Sequence, residues 1–334
     1  MTSTDTITEN DRAGTICYTF RMIRYATKEK TIVGVIFAAF SVFLWGITFV
    51  STKYLLRSFS ALEILLSRFV AAYIGLWILR PRKLHLAQRK DEIYFMLAGM
   101  SGITVYQFME NIAISFTSAS NVSIIVSICP IFTAIIAQIF LRQKHLTATF
   151  VLGFFVAIVG IALVSFNGAV VLHLSPKGDL LALGAAVSWG FYSLFVSKIN
   201  ALGLDFIQAT RRIFFWSLVW MIPLVFYGIV KAVPSSSTFI NLDEATNALR
   251  WSNLLNWINL LFLGWGASAF CFVAWNIACN QLGTVRATVG IYLIPVITII
   301  FAFLALDERI SVMGAIGAVL TITGLFISEI RNKL

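Results

Sequence analysis

The sequence predicts an all-α integral membrane protein: ten transmembrane helices built as two inverted five-helix repeats. Three observations carry this: a composition too apolar for a water-covered surface, ten apolar runs of spanning length, and an internal register linking the two halves. Of the 334 residues, 59% are hydrophobic and 12% charged, where a soluble domain carries about 25% charged residues. The mean hydropathy is +0.88, which puts the chain in lipid rather than water. The net charge of +10 does not indicate a nucleic-acid partner. Its Lys and Arg residues lie between apolar runs instead of gathering in one patch. In that position they set orientation in the bilayer.

A crossing needs about 20 mostly apolar residues. Such runs occur at roughly 31–56, 60–79, 92–114, 118–141, 147–166, 178–199, 205–230, 254–279, 284–306 and 310–330. In lipid each backbone amide must be paired within its own segment, so every run is read as a helix. Most connections are short and make consecutive helices antiparallel. The exception is a loop at 231–253, between the seventh and eighth runs. Ten crossings put both termini on one side. That side takes the clusters Arg80, Arg82, Lys83 and Arg89, Lys90, whereas Arg57, Lys177, Lys231, Arg250 and Arg309 fall on the other. The positive-inside rule then makes both termini cytoplasmic, in a multi-pass cell-membrane protein. Residues 1–30 form a polar cytoplasmic tail without the apolar core of a signal peptide. Ile16, Phe20 and Ile23, with Arg21 and Arg24 between them, suit a short interfacial helix. A disordered tail suits the same composition.

The halves, 31–167 and 178–330, align on each other. At an offset of 144, Gly34 matches Gly178, Trp45 matches Trp189, Gly46 matches Gly190 and Arg68 matches Arg212. Further on the offset is 165. Asn111-Ile112-Ala113 then falls on Asn276-Ile277-Ala278, and Pro130 on Pro295. Gly153 and Gly160 fall on Gly317 and Gly324 at an offset of 164. The register jumps at the 231–253 loop, which occupies the second half alone. Five is odd, so the second copy crosses the membrane in the opposite sense. Inverted repeats about an in-plane pseudo-two-fold axis are the pattern of many secondary transporters. Two related states of similar energy, each open to one side, are the basis of alternating access.

Other chemistries find little support. Cys17, Cys129, Cys271 and Cys279 contain no CxxC, and His85, His145 and His173 stand near loops or span ends. Neither metal nor cofactor is expected. No nucleotide-binding motif occurs, so ATP is not the direct energy source. A membrane-embedded lipid-modifying enzyme and a polytopic receptor are the alternatives. The first lacks a cluster of His, Asp or Glu at one face, and the second lacks an appended signalling domain.

The tryptophan-glycine pairs Trp45-Gly46 and Trp189-Gly190, the stretch Ser118-Ala119-Ser120-Asn121, the prolines Pro130 and Pro295, and the turn Leu306-Asp307-Glu308-Arg309-Ile310-Ser311 together resemble the EamA-type drug/metabolite transporter superfamily. The resemblance covers residues 31–330. It implies ten helices, two EamA repeats, cytoplasmic termini and a central cavity. It also implies transport of an amino acid or related small metabolite, often outward. One departure is visible: the first half reads Arg142-Gln143-Lys144 where the second has its acidic turn. The basic version suits a cytoplasmic position.

Against that background Glu110 is the leading candidate. An intramembrane charge is costly and is by default a functional residue. Tyr106 and Glu110 share one helical face with Ala113. Glu110 is expected to line the cavity, taking a proton for coupling or receiving a substrate ammonium. A structural carboxylate near the helix end is the other reading. Asn111 and Asn276, the matched carboxamides, are expected to pin the third span to the fourth and the eighth to the ninth. Glu110 itself matches Trp275, so its charge belongs to one half only. Trp45, Thr48, Phe49, Trp189 and Tyr192 lie mid-span, where they fill the core or line a pocket. Asn121, with Ser118, Ser120, Ser123 and Ser127, gives the fourth span a polar start. Arg68 and Arg212 could bind a carboxylate substrate, but read foremost as structural cations, snorkelling or paired with Glu63 and Asp205. Lys53 reads as snorkelling at its span end. Pro130 and Pro295 remove a backbone hydrogen bond and mark gating points or kinks. The glycine pairs permit close helix contact, within one chain or at a dimer seam. Expected partners are a small-molecule substrate, the bilayer and, where Glu110 serves coupling, protons.

Overall fold

The computed structural model describes residues 8–117, 119–142, 146–166, 175–231, 248–306 and 312–329. Ser118, Gln143, Lys144, His145 and His173, the first seven residues, most of the 231–253 loop and the turn at 307–309 lie outside them. The elements formed by the described residues are all helical, without strands. The helices are α1 (Thr8–Leu55), α2 (Ala61–Leu79), α3 (Glu92–Ala98), α4 (Tyr106–Phe116), α5 (Ala119–Val126), α6 (Cys129–Leu141), α7 (Ala148–Phe166), α8 (Pro176–Asn200), α9 (Phe206–Lys231), α10 (Ala248–Ser252), α11 (Leu254–Leu261), α12 (Cys271–Leu282), α13 (Thr284–Val289), α14 (Ile294–Leu306) and α15 (Val312–Glu329). Seven helical stretches among the described residues are long and apolar enough to cross a membrane: 29–55, 61–79, 121–141, 176–200, 206–227, 254–282 and 284–301. Two shorter apolar stretches, 148–163 and 315–328, add to them. The stretch from α3 to α4 carries Gln107, Glu110 and Asn111 and is more polar. This is a multi-pass membrane protein, and its outer surface agrees. Large apolar side chains such as Ile36, Ile78, Leu180, Phe226 and Leu304 are exposed, which suits lipid and would be unfavourable in water.

The two halves repeat each other's irregularities. A π segment, Gly99–Val105, joins α3 to α4, and another, Phe262–Phe270, joins α11 to α12. Val105 and Phe270 stand 165 residues apart, the offset read from the sequence. The fourth run breaks at Ser127 and Ile128 between α5 and α6. Its partner run changes to a 3₁₀ turn at Gly290–Leu293 between α13 and α14. Pro130 sits in the first turn of α6 and Pro295 follows Ile294, the first residue of α14. Each proline thus stands where the winding of its run changes, just after the turn at Ser127 and Ile128 or the 3₁₀ turn at Gly290–Leu293.

Packing follows the same symmetry. α1 packs on α12 and α14, and α8 packs on α4 and α6. α2 lies against α9 at the junction of the halves, and α7 lies along α15. That last contact is backbone to backbone. A Cβ on Gly153 would stand 2.4 Å from the Ser328 amide nitrogen, and one on Gly160 would stand 2.4 Å from that of Thr321. The glycine pairs thus serve a seam inside one chain.

Candidate functional site

The repeat-matched tryptophans meet at the centre. Trp45 and Trp189 are edge to face, their ring centroids 5.4 Å apart with an interplanar angle of 88°. Trp275 closes against both, at 4.9 Å and 5.9 Å, and Tyr106 lies 5.0 Å from Trp189. Such pairs add about 0.5–1.5 kcal/mol each beyond the area they bury. The Trp45 indole N–H donates to the Ala267 carbonyl at 2.9 Å. Ala267 lies in the π segment, where the wider winding disturbs the regular helical ladder. The first π segment is used alike: its Ser101 carbonyl accepts from the Ser188 hydroxyl at 2.7 Å.

Beside the rings lies a cavity of about 20 Å³, lined by Trp45, Thr48, Phe49, Arg68, Tyr106, Gln107, Glu110, Trp189, Ile291 and Ile294. Every lining residue is buried. The space is about that of one water molecule, so this conformation is closed around its centre. Glu110 is 3% exposed and Arg68 1%. Arg68 Nε donates to Ser268 Oγ at 2.5 Å, and its Nη1 donates to Gln107 Oε1 at 2.7 Å. Tyr106 stands one turn before Glu110 on α4 and lines the cavity with it. The two charges interact through space but do not pair directly. The ion pairs among the described residues are Arg80–Asp205, Arg212–Glu92 and Arg250–Glu63. A buried cation and a buried anion thus face one cavity, the cation held by neutral hydrogen-bonding neighbours.

Of the residues singled out in the sequence, Glu110, Tyr106, Trp45, Phe49 and Trp189 converge on this cavity. Asn111, Asn121, Tyr192 and Asn276 do not line it. Asn111 Nδ2 donates to the Ala61 carbonyl at 3.2 Å. Asn276 Nδ2 donates to Thr210 Oγ1 at 2.8 Å, and its Oδ1 accepts from the Tyr192 hydroxyl at 3.4 Å. The carboxamides are symmetric, but each holds its helix to the preceding span and not the following one. The cause is rotation: both face the start of the antiparallel neighbour that leads into them. Asn121 Nδ2 donates to Asp179 Oδ1 at 2.7 Å, tying the starts of α5 and α8.

Arg68 and Arg212 part company. Arg212 forms a two-point bond with Glu92 at 2.7 and 3.0 Å, where Glu92 also accepts from the Trp216 indole. Neither arginine pairs with Glu63 or Asp205, the carboxylates near the start of its own span. Glu63 caps α2 with Ser60 and binds Arg250, while Asp205 faces Arg80. Lys53 is likewise not snorkelling. Its ammonium donates to the Ile114 and Thr117 carbonyls at 2.8 and 2.9 Å, where the end of α4 carries partial negative charge. The cavity adds Gln107, Ile291 and Ile294 to the candidates and gives Arg68 a place beside Glu110. Gln107 was legible in principle, being three residues before Glu110 and so on its face. The buried free thiols of Cys129, Cys271 and Cys279 lie in the packed core, and no group of metal-binding residues occurs among the described residues.

The EamA-like transporter family model matches residues 32–166 and again residues 176–329. The chain belongs to the EamA-like transporter family. A probable amino-acid metabolite efflux pump of Escherichia coli is 25% identical over 300 residues, covering 88% of this chain and 93% of that protein. A probable terminal-alkyne amino-acid exporter of Streptantibioticus cattleyicolor is 24% identical over 298 residues, covering 87% and 92%. An uncharacterized transporter of Archaeoglobus fulgidus is 24% identical, covering 88% and 96%. A crystal structure at 17% identity superposes with a TM-score of 0.65 over 90% of this chain and 96% of its own, and shares the fold. Family and relatives place this EamA chain among membrane transporters rather than enzymes.

Proposed function

We propose that the chain is a secondary transporter that exports an amino acid or a related small amphipathic solute by alternating access. One observation carries the reading: Arg68 and Glu110 line the same cavity at the junction of the two halves without binding each other. A zwitterion supplies both missing partners, a carboxylate for the guanidinium and an ammonium for the glutamate. Trp45, Trp189 and Phe49 offer an apolar wall to its side chain. Buried charges are tolerated when paired and hydrogen-bonded, so a bridging solute is favoured over a neutral one. The names of the Escherichia coli and Streptantibioticus cattleyicolor relatives support amino-acid chemistry and the outward direction. A proton on Glu110 is the alternative occupant during the return step.

In this reading the seven long apolar helices, the two shorter ones and the α3–α4 stretch are ten crossings. The halves are inverted, and both termini are cytoplasmic in the cell membrane. The end of the bundle where α2 finishes is then cytoplasmic and the end where α2 begins is external.

Proteoliposomes loaded with unlabelled amino acid and given labelled amino acid outside provide the test. Saturable counterflow is expected, lost in Glu110→Gln and in Arg68→Gln. Absence of counterflow for amino acids and related amines with the folded wild type would reject the proposal. Single cysteines at positions 84 and 177 test the topology. Labelling of both from the same side of the membrane would remove the inverted arrangement.

A further inference from the structure

A second cavity, unconnected with the charged centre, opens on the lipid-facing side. It is an apolar groove of about 570 Å³ among α1, α2, α9 and α12, with Phe37, Leu76, Ile78, Ile207, Val273 and Ile277 in its walls. We propose that this groove binds an anionic phospholipid, with an acyl chain between the helices and the phosphate at the basic rim formed by Arg82 and Lys83. The groove runs to Ile78 and Leu79, the last turn of α2. From there the chain continues Arg80-Pro81-Arg82-Lys83. Arg211 shapes this rim. Its guanidinium donates to the carbonyls of Arg80 and Arg82 and lies 3.9 Å over the Trp77 ring. Arg80 faces Asp205 at 3.8 Å. Arg82 and Lys83 are exposed and take part in none of the ion pairs among the described residues.

A backbone held by Arg211 therefore carries two exposed cations three and four residues beyond Leu79, the last groove residue of α2. The orientation under Proposed function points that end of the groove at the cytoplasmic leaflet, whose anionic lipids attract basic juxtamembrane residues. Placement matters for the machine. Trp265, which lines the groove, belongs to the second π segment and donates from its indole to the Ala71 carbonyl at 3.1 Å. Two and three residues on, Ala267 and Ser268 hold Trp45 and Arg68. A chain in the groove fills space between α2 and α12 and holds that contact in the closed arrangement.

The inference concerns lipid retention and is read out without transport, so it fails separately from the transport proposal. Full-length protein in detergent is given equal amounts of phosphatidylglycerol and phosphatidylcholine with identical acyl chains, and retained lipid is measured by native mass spectrometry. Phosphatidylglycerol is expected to be retained in excess and to raise the unfolding temperature. The double substitution Arg82→Gln with Lys83→Gln is expected to abolish the preference while leaving the fold intact, since both side chains are exposed. Ile277→Trp fills the groove and is expected to lose retention of either lipid. Equal retention of the two lipids by the wild type, or an unchanged preference in the double variant, would overturn the assignment. Binding of glycerol phosphate without acyl chains would also overturn it, because the groove would then contribute nothing.

Discussion

Trp45 and Trp189, matched residues of two halves 144 positions apart, meet edge to face at the centre of the molecule with centroids 5.4 Å apart. The first span of each repeat therefore presents the same ring to the centre, and the halves bear on each other through it. Trp189 is 2% exposed. Replacing it by Ala removes a fully packed indole and should cost about 3–5 kcal/mol. Trp189→Phe retains a ring and should cost markedly less. Thermal unfolding in detergent checks the order, and an alanine variant as stable as the phenylalanine one would show that the rings are not the bearing surface.

Arg68 and Glu110 should fail in opposite chemical directions. A charged hydrogen bond contributes about 1.5–3 kcal/mol, or about tenfold or more in affinity. Arg68→Gln should therefore weaken transport of carboxylate-bearing amino acids by at least about tenfold while sparing their amides. Glu110→Gln should weaken substrates with a free amine while sparing N-acetylated ones. Competition counterflow with the four substrate types checks both. Identical profiles for the two variants would assign the pair to folding rather than recognition.

Two latches hold the ends of the bundle. Where α2 begins, Arg250 and Glu63 pair at 3.2 Å, and the Arg250 guanidinium also donates to the Ser58 carbonyl and stacks 4.8 Å from the Phe59 ring. Where α2 ends, Arg212 and Glu92 pair at 2.7 Å. The Arg250–Glu63 pair is largely buried, so removing one member strands the other charge at a cost of several kcal/mol, whereas the Arg212–Glu92 pair is partly exposed and contributes less. Glu63→Gln should raise alkylation of a reporter cysteine at Thr48 by an impermeant reagent added outside. Arg212→Gln should lower it, by favouring the inward-open state. Equal labelling in both variants would remove the gating role.

The seam of α7 and α15 should tolerate no added atom. Gly153→Ala and Gly160→Ala place a methyl against backbone that cannot turn aside, an overpacking cost of about 1–3 kcal/mol. Gly266→Ala, whose Cβ would find its first neighbour at 3.5 Å, is the control and should be near neutral. Unfolding temperatures of the three variants give the comparison. A destabilised control with an intact seam would reverse the argument.

Apolar run length, the placement of basic residues and the offsets of 144 and 165 sufficed to read an all-helical membrane chain in two matched halves. They also sufficed to single out Glu110, a charge in lipid with no counterpart in the other copy. These features are legible because they depend only on distance along the chain and on transfer from water to lipid. Partnership between helices does not. Whether Arg68 faces Glu63 or turns with Gln107 and Ser268 toward the cavity depends on helix rotation and crossing. So does the choice of Asn111 and Asn276 for the preceding span. Pro130 and Pro295 mark the irregular points of their runs in the sequence, but no comparable residue marks the π segments. Tertiary structure alone closed the centre to about 20 Å³, because only packing of both halves brings their rings and the opposed charges to one place.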